Sequence, residues 1–402
     1  MPRPARPSIQ AVPGRPVRLA GVLLTDYRSY VAAELHPDSG LTIVAGPNGA
    51  GKTNLLEAVY AAITGRAHRA AADHELVRHG APFARVRLDL TTDGGAARVE
   101  LLIPGVAASP EIRKRVTVNG VARRPASVAE VARAVLFRPE EMLLLVGPPS
   151  ERRRFLDAML AQRDRRVARD LLDLARILAQ RNALLRAIRH EEAGEEGLDF
   201  WDEQLSVVGA RVMAARLAVV DELRGRIGPL HDAVAPDVER GASVELGYVD
   251  SLKDAWPERS PIATAEELES AFRRRIAGAR QKELWNGVSL IGPQRDDLRV
   301  TLAGRDVAEH ASRGQQRTII LALKLAETAL LGEGDAPRPI VLLDDVFSEL
   351  DAERSERLLA LLLEEGQVLV TMADLGTLPT ARRHRVPVWH VDDGRLSAPR
   401  VA

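Results

Sequence analysis

Eight consecutive residues, Gly46-Pro47-Asn48-Gly49-Ala50-Gly51-Lys52-Thr53, follow the pattern G-x-x-x-x-G-K-T. Each fixed position suits a phosphate. Glycines let backbone N–H groups turn toward phosphate oxygens, a helix starting at the end of the motif adds partial positive charge, Lys52 reaches the β- and γ-phosphates, and the Thr53 hydroxyl can ligate Mg²⁺. A second acidic element lies far downstream, where the apolar run Ile340-Val341-Leu342-Leu343 ends in Asp344-Asp345. A carboxylate at Asp344 can hold Mg²⁺ directly or through water, and Asp345 can polarise the water that attacks the γ-phosphorus. A third element, Ala311-Ser312-Arg313-Gly314-Gln315-Gln316, precedes a strongly apolar helix. Ser312 is an N-cap candidate, Gly314 allows close approach, and the helix start beyond them is another place for an anion.

These residues need elements to hold them. Leu41-Thr42-Ile43-Val44-Ala45 is β-branched and bounded by glycine, and residues 53–64 carry Leu55, Leu56, Val59 and Ile63 at helical spacing with Gly65 at the cap position. The order strand, glycine loop, helix is what a phosphate loop requires. Residues 340–343 read as a central parallel strand buried on both faces. Its pairing with the upstream loop in one sheet would put a metal between their ends. Residues 83–121 hold short alternating runs closed by Asn119-Gly120, a two-residue hairpin signal, and predict an antiparallel sheet. From 151 to 280 the composition turns to Arg, Leu, Ala and Glu. Leu171, Leu174, Leu178 and Leu185, then Leu205, Val208, Val212 and Val219, sit at heptad-like steps on either side of a glycine-containing turn, which predicts a short helical hairpin or an ordinary bundle. The expected organisation is a tail over 1–16, a head segment over 17–150, a helical insertion over 151–280 and a second head segment over 281–402. The fold class is α/β: a phosphate-loop head with a parallel core sheet plus an antiparallel sheet, and an inserted helical lobe containing a short coiled-coil-like arm.

The chain of 402 residues is 46% hydrophobic, enough to bury a core. Lys+Arg and Asp+Glu are each 56, so any pull toward a polyanion is local. Only five of the basic residues are Lys; the rest are Arg, whose fixed fork of donors suits phosphate oxygens. The absence of Cys excludes disulfides, thiolate metal sites and cysteine nucleophiles, and fits a reducing compartment. No uncharged apolar run is long enough for a membrane span, and the start lacks a secretory core, so the expected location is the cytoplasm with no membrane partner.

Ser-x-Gly-Gln, an apolar strand ending in two acids, and Ser348-Glu349-Leu350-Asp351 resemble the signature, Walker B and D-loop series of ABC-type ATPases. The runs 46–60, Gly65-Arg66-Ala67-His68-Arg69, Arg152-Arg153-Arg154-Phe155-Leu156-Asp157, Gly292-Pro293-Gln294-Arg295-Asp296-Asp297-Leu298, 312–325 and 342–351 together resemble the RecF family of bacterial recombination mediators. The resemblance spans about residues 17–375. It implies an ATPase head with a helical second lobe, ATP-driven homodimerisation and slow, DNA-stimulated hydrolysis that times release. It also implies binding to double-stranded DNA or single–double-strand junctions, and work with RecO and RecR to place recombinase RecA on gapped DNA. Carried onto this chain, residues 46–54, Asn54 included, would wrap the phosphates, and Thr53 and Asp344 would hold Mg²⁺ while Asp345 activates water. Ser312, Gly314 and Gln315 would meet the γ-phosphate bound by the other subunit, with Asp351 near that seam. Arg28 is placed early enough to stack on adenine. Two departures stand out. Gln294 replaces the His of the family's Gly-Pro-His-Arg-Asp-Asp run. Neither residues 371–374 nor residues 137–140 carry the His or Gln of other ABC enzymes, so no role is assigned there.

Between residues 151 and 190, eleven Arg face five acids, a net charge of +6. That suits sequence-independent, salt-sensitive contact with phosphates. Arg152, Arg153, Arg154, Arg163, Arg165 and Arg166 are the arm's DNA-contact candidates, with Arg66 and Arg69 past the phosphate-loop helix. With aromatics only 3% of the chain and none interleaved with the arginines, duplex backbone contact is favoured over base stacking. The alternative is an SMC-like structural DNA-bridging ATPase, which short arms disfavour. A transporter-coupled ATPase has no place for the Arg-rich insertion, and an ATPase-coupled nuclease would need a further acidic cluster.

Overall fold

Three short runs, Leu41–Ala45, Pro339–Asp344 and Val368–Met372, are buried at every position. Such continuous apolar stretches are stable as central parallel strands covered on both faces. The computed structural model describes residues 14–67, 70, 72–109, 111–252, 255–256, 263–378 and 386–400. Its contacts divide the chain into a head unit (residues 1–141, 229–240 and 321–402) and a helical unit (residues 142–228 and 241–320).

In the head unit the chain runs through β1 (Val17–Tyr27), β2 (Tyr30–Leu35), β3 (Leu41–Ala45), α1 (Lys52–Thr64), β4 (Phe83–Thr92), β5 (Gly95–Pro104), β6 (Arg115–Val118), β7 (Val121–Arg123) and β8 (Arg133–Phe137). The helical unit supplies α2 (Leu143–Val146), α3 (Pro149–Arg163), α4 (Arg165–Arg189), the first part of α5 (Leu198–Val234), β9 (Val244–Val249), α6 (Ala265–Asn286), β10 (Asp297–Leu302), β11 (Arg305–Asp306), α7 (Val307–His310) and the start of α8 (Arg313–Leu331). The head resumes with β12 (Pro339–Asp344), α9 (Ala352–Glu365), β13 (Val368–Met372), β14 (Val388–Asp392) and β15 (Arg395–Arg400).

The head holds two six-stranded sheets. The antiparallel one is ordered β2-β1-β4-β5-β6-β7, and its β6–β7 hairpin turns at Asn119 (φ 51°) and Gly120 (φ 77°), as the Asn-Gly pair predicts. The other is ordered β15-β14-β3-β13-β12-β8, parallel across β14, β3, β13, β12 and β8. Its register aligns Ala45 with Met372 and Thr371 with Asp344. The glycine loop after β3 and the acids ending β12 therefore leave the same sheet edge, separated by one strand. Helix α1 packs its buried Leu55, Leu56, Val59 and Ile63 in the core between the sheets.

In the helical unit α4 and α5 form the expected hairpin, and α6 shares its core: Leu171, Leu174, Leu205, Val208, Phe272 and Ile276 are all buried in one cluster. Fully buried Arg181 of α4 bonds Asp202 of α5 at 2.8 Å and Glu283 of α6 at 2.6 Å, fastening the three helices. Three features differ from expectation. Val244–Val249 is a strand, because β10 offers it a full antiparallel partner. Residues 142–150 and 281–320 cluster with the helical unit, the second stretch because β10 pairs with β9 there, while residues 229–240 of the expected insertion cluster with the head. At the described end of the expected tail, Arg15 bridges Pro337 in parallel and its backbone N–H donates to Ala336, which ties that stretch to the approach to β12.

Candidate nucleotide site

The loop after β3 is shaped by close approaches that only glycine permits. A Cβ on Gly46 would lie 2.1 Å from the carbonyl oxygen of Val391, and Gly51, the residue capping α1, has φ 112° and would push a Cβ to 2.7 Å from Ser29 Oγ. Tyr30 Oη donates to the Gly51 carbonyl at 2.9 Å and Asn54 Nδ2 to Ser29 Oγ at 3.0 Å, so the turn between β1 and β2 props the loop from outside. Lys52 is buried, with its ammonium donating to the carbonyls of Gly46 (2.8 Å) and Pro47 (2.9 Å). The cation thus sits over the loop it would serve.

Across 291 residues of chain, Thr53 Oγ1 donates to Asp344 Oδ1 at 3.0 Å. The same carboxylate oxygen accepts from Thr371 Oγ1 at 2.7 Å. Asp345 follows in the left-handed region (φ 51°), its backbone N–H donating to the Thr371 carbonyl (3.1 Å) and hydroxyl (3.2 Å). This kink turns the second acid off the strand line. A cleft of about 390 Å³ lies here, lined by Asn48, Gly49, Gly51, Lys52, Thr53, Asn54, Pro139, Asp344 and Asp345. One hydroxyl and one carboxylate oxygen, side by side beneath a loop of backbone N–H groups, is a donor set that fits Mg²⁺, which keeps waters and phosphate oxygens as its other ligands.

Two contributions to the site escaped the sequence reading, one from behind Asp344 and one in the lining. Thr371 positions Asp344, and its only sequence signal is a hydroxyl at the end of an apolar strand. Pro139 lies in the stretch that lacks a Gln. Behind it, Arg138 pairs with Glu141 at 3.3 Å, and the buried Lys324 of α8 pairs with Glu327 at 2.5 Å while lying 5.7 Å from the ring centre of Phe137. Burial first, then Glu327 and Glu141, push the phenol of Tyr60 on α1 well above its ordinary value; burial likewise raises Glu327, with Lys324 opposing. A buried charged layer therefore joins the back of α1, the Pro139 turn and α8.

Other expected residues stand elsewhere. Ser312 and Gln315 form a reciprocal capping box at the start of α8, Ser312 N–H donating to Gln315 Oε1 at 2.9 Å and Gln315 N–H to Ser312 Oγ at 3.2 Å. They and Gly314 belong to the helical unit and do not line the cleft. Asp351 caps α9 by accepting from Arg354 N–H at 2.9 Å. Burial acts to raise its carboxyl, but the hydrogen bonds and charge of Arg354 hold it below the usual range. Arg28 is engaged by Glu57 of α1 (3.2 and 3.4 Å) and the Glu75 carbonyl (2.9 Å), and braces α1 instead of lining the cleft.

The arginine candidates separate by partner. Arg152 is bidentate to Asp297 (2.7 and 2.9 Å), Arg153 donates to the Asp296 carbonyl at 2.8 Å, and Arg163 is bidentate to Glu222 (2.9 and 2.8 Å). Burial, then neighbouring Arg216, lowers the pKa of Arg153. These three are structural: acids distant in sequence neutralise Arg152 and Arg163, and a distant main-chain carbonyl holds Arg153, which a count within residues 151–190 does not see. Arg154 is exposed and pairs with Glu151 at 2.9 Å; Arg165, Arg166 and Arg66 are exposed. Arg69 lies outside the described residues. The Gly292–Asp297 run is also structural: Asp296 is buried, accepts from Tyr248 Oη and Ser251 N–H at 2.8 Å each, and burial raises its pKa to about 6. Gln294 donates its amide to the Ile291 carbonyl at 2.9 Å.

Fold and cleft together define a phosphate-loop ATPase head of the ABC type. The chain belongs to the RecF branch of the family described as RecF/RecN/SMC N terminal domain, whose model matches residues 18–396. It is 37% identical over 397 residues to the DNA replication and repair protein RecF of Chloroflexus aurantiacus, covering 94% of this chain and 98% of that protein. It is 42% identical over 381 residues to the protein of the same name from Kineococcus radiotolerans, covering 91% of this chain and 95% of that one. A solved structure described as the recombination mediator protein RecF-ATPrS in the RecFOR pathway superposes with a TM-score of 0.85 at 27% identity, over 96% of this chain and 99% of that chain. Among the described residues no helix is long and apolar enough to cross a membrane.

Proposed function

We propose that the chain is an ATP-dependent DNA-binding protein of replication and recombinational repair, acting in the cytoplasm as a nucleotide-gated clamp. The observation that carries this reading is the bond from Thr53 to Asp344 in the lining of the cleft that Lys52 shares. In this reading the loop N–H groups and Lys52 bind the phosphates of ATP, and Thr53 and Asp344 hold Mg²⁺, which supplies positive charge to the phosphate oxygens. Asp345 accepts the proton of the attacking water. The capping box leaves the proton of the Ser312 hydroxyl available as a donor. Ser312, Gly314 and Gln315 meet the γ-phosphate bound by a second copy, with Asp351 at the same seam, so that ATP is part of a dimer interface and slow hydrolysis weakens it. The DNA is a duplex or a single–double-strand junction, met by the exposed arginines of α3 and α4 and by the region around Arg66. RecO and RecR are the partners, and RecA is loaded as the outcome.

The test is ATP turnover per chain against protein concentration, with and without duplex DNA. Turnover should rise more than linearly with concentration and respond to DNA. Lys52→Met and Ser312→Arg should each be inactive alone and regain activity when mixed, because one mixed pairing restores an intact composite site. Turnover that is flat with concentration, together with an inactive mixture, would mean a site complete within one chain.

A further inference from the structure

Of the four tryptophans, Trp256 and Trp389 are buried and Trp201 is partly so, but Trp285 in the last turn of α6 is 82% exposed. Indoles are among the side chains most worth burying, and in a chain this poor in aromatics an indole left in water asks for a partner. Its surroundings are cationic. Lys282 lies one turn earlier on the same helix and is exposed. Gly287, two residues on, has φ 66°, and the three atoms nearest a Cβ there would be Arg189 Cδ (3.3 Å), Arg186 Cγ (3.4 Å) and Arg186 Cα (3.6 Å). Arg189 Nη1 donates to the Asn286 carbonyl at 3.4 Å, so the ends of α4 and α6 lie together. Phe200, 58% exposed at the start of α5, stands at the same end, where neighbouring Asp199 binds Arg280 of α6.

Among the described residues Arg186, Arg189 and Lys282 make no ion pair, whereas Arg152, Arg163, Arg181, Arg211 and Arg216 of the same unit are each paired with an acid. The exposed acids Glu191, Glu192 and Glu196 follow in the turn after α4. A cation in the last turn complements a helix dipole, which accounts for the two arginines but not for the indole. An exposed π-face beside unpaired cations is the chemistry that holds a base of a single strand: the ring stacks, and the cations take the flanking phosphates.

We propose that this end of the helical unit is a stacking site for an unpaired nucleobase, with Trp285 receiving the base and Arg186, Arg189 and Lys282 the adjacent phosphates. The site is separate from duplex backbone contact and rests on the proposed function only for the statement that the chain meets DNA.

The experiment follows indole emission of the full chain during titration with an oligothymidylate of about 12 nucleotides, and measures blunt-duplex binding separately by anisotropy. Oligothymidylate should quench the emission to saturation. Trp285→Ala should remove the quenching and weaken oligothymidylate binding at least about fivefold, and Trp285→Phe should recover most of the affinity. Both variants should melt at the wild-type temperature. Should the alanine variant melt early, Arg186→Gln combined with Lys282→Gln replaces it, and the same loss of affinity is expected. Emission that ignores oligothymidylate, or variants that bind it as wild type does, overturns the site and leaves Trp285 to a protein partner. Quenching by oligothymidylate in a chain that fails to bind duplex upholds the site while removing the duplex reading.

Discussion

Asp344 is held by two hydroxyls that reach it from opposite sides of the sequence, Thr53 and Thr371. Only the first is legible from a motif. Thr371 is visible once β13 is known to lie between β3 and β12, because register then sets it beside Asp344. Groups that orient a metal-holding carboxylate are typically worth 10- to 100-fold in affinity or activity. Thr371→Val should therefore lower Mg²⁺-dependent ATP turnover by about tenfold or more and leave Mg²⁺-free nucleotide binding near wild type. Titration of nucleotide with and without Mg²⁺ checks this, and equal losses in both would mean that the loop itself has been disturbed. Asp296 gives a second prediction. Burial raises its pKa from 3.8 to about 6, so the native state binds this proton more tightly than the unfolded chain. Stability from this residue is greatest below about pH 4, falls as pH rises toward 6, and is lost above it, a total of about 3 kcal/mol. An amide can still accept from Ser251 N–H and donate to Tyr248. Asp296→Asn should thus remove the slope, and urea unfolding at a series of pH values should show the wild type losing ground to the variant between pH 4 and 6.

At the scale of elements, the parallel strands, the phosphate-loop helix and the β6–β7 hairpin could be read directly, because each rests on a local signal: a doubly buried apolar run, glycines at fixed offsets, an Asn-Gly pair. Strand β9 could not, since VELGYV becomes a strand by pairing with residues some fifty positions later. The arginine helices show the same limit. Eleven arginines against five acids reads as a polyanion-binding surface, yet Arg152 and Arg163 are bidentate with Asp297 and Glu222, acids outside the stretch counted. Their expected signature is structural. Arg163→Ala should lower the melting temperature and leave the salt dependence of duplex binding unchanged. Arg166→Ala, on an exposed position of α4, should leave stability within about 0.5 kcal/mol and reduce the slope of log K against log salt by about one. A slope that shifts with Arg163 and not with Arg166 would reverse the assignment and move the DNA surface into the α3–α5 contact.

For the whole molecule, a net charge of zero gives no global pull toward DNA, so in the proposed function retention on DNA would come from assembly. If ATP joins two copies, dimerisation and DNA residence are linked by mass action, and slowing hydrolysis strengthens both together. Asp345 separates these steps because it lines the cleft from a kinked position without holding Thr53. Asp345→Asn should bind ATP, lose turnover by about 100-fold or more, sediment as a dimer at lower protein concentration than wild type, and leave duplex DNA more slowly. Lys52→Met should sediment as a monomer at every ATP concentration that saturates the wild type. Sedimentation velocity with ATP, paired with dissociation from labelled duplex, reads both quantities. A Lys52→Met chain that dimerises as readily as wild type, or an Asp345→Asn chain that stays monomeric with ATP bound, would show that the nucleotide is not part of the seam. The signature at the start of α8 would then be only the capping box that its hydrogen bonds describe.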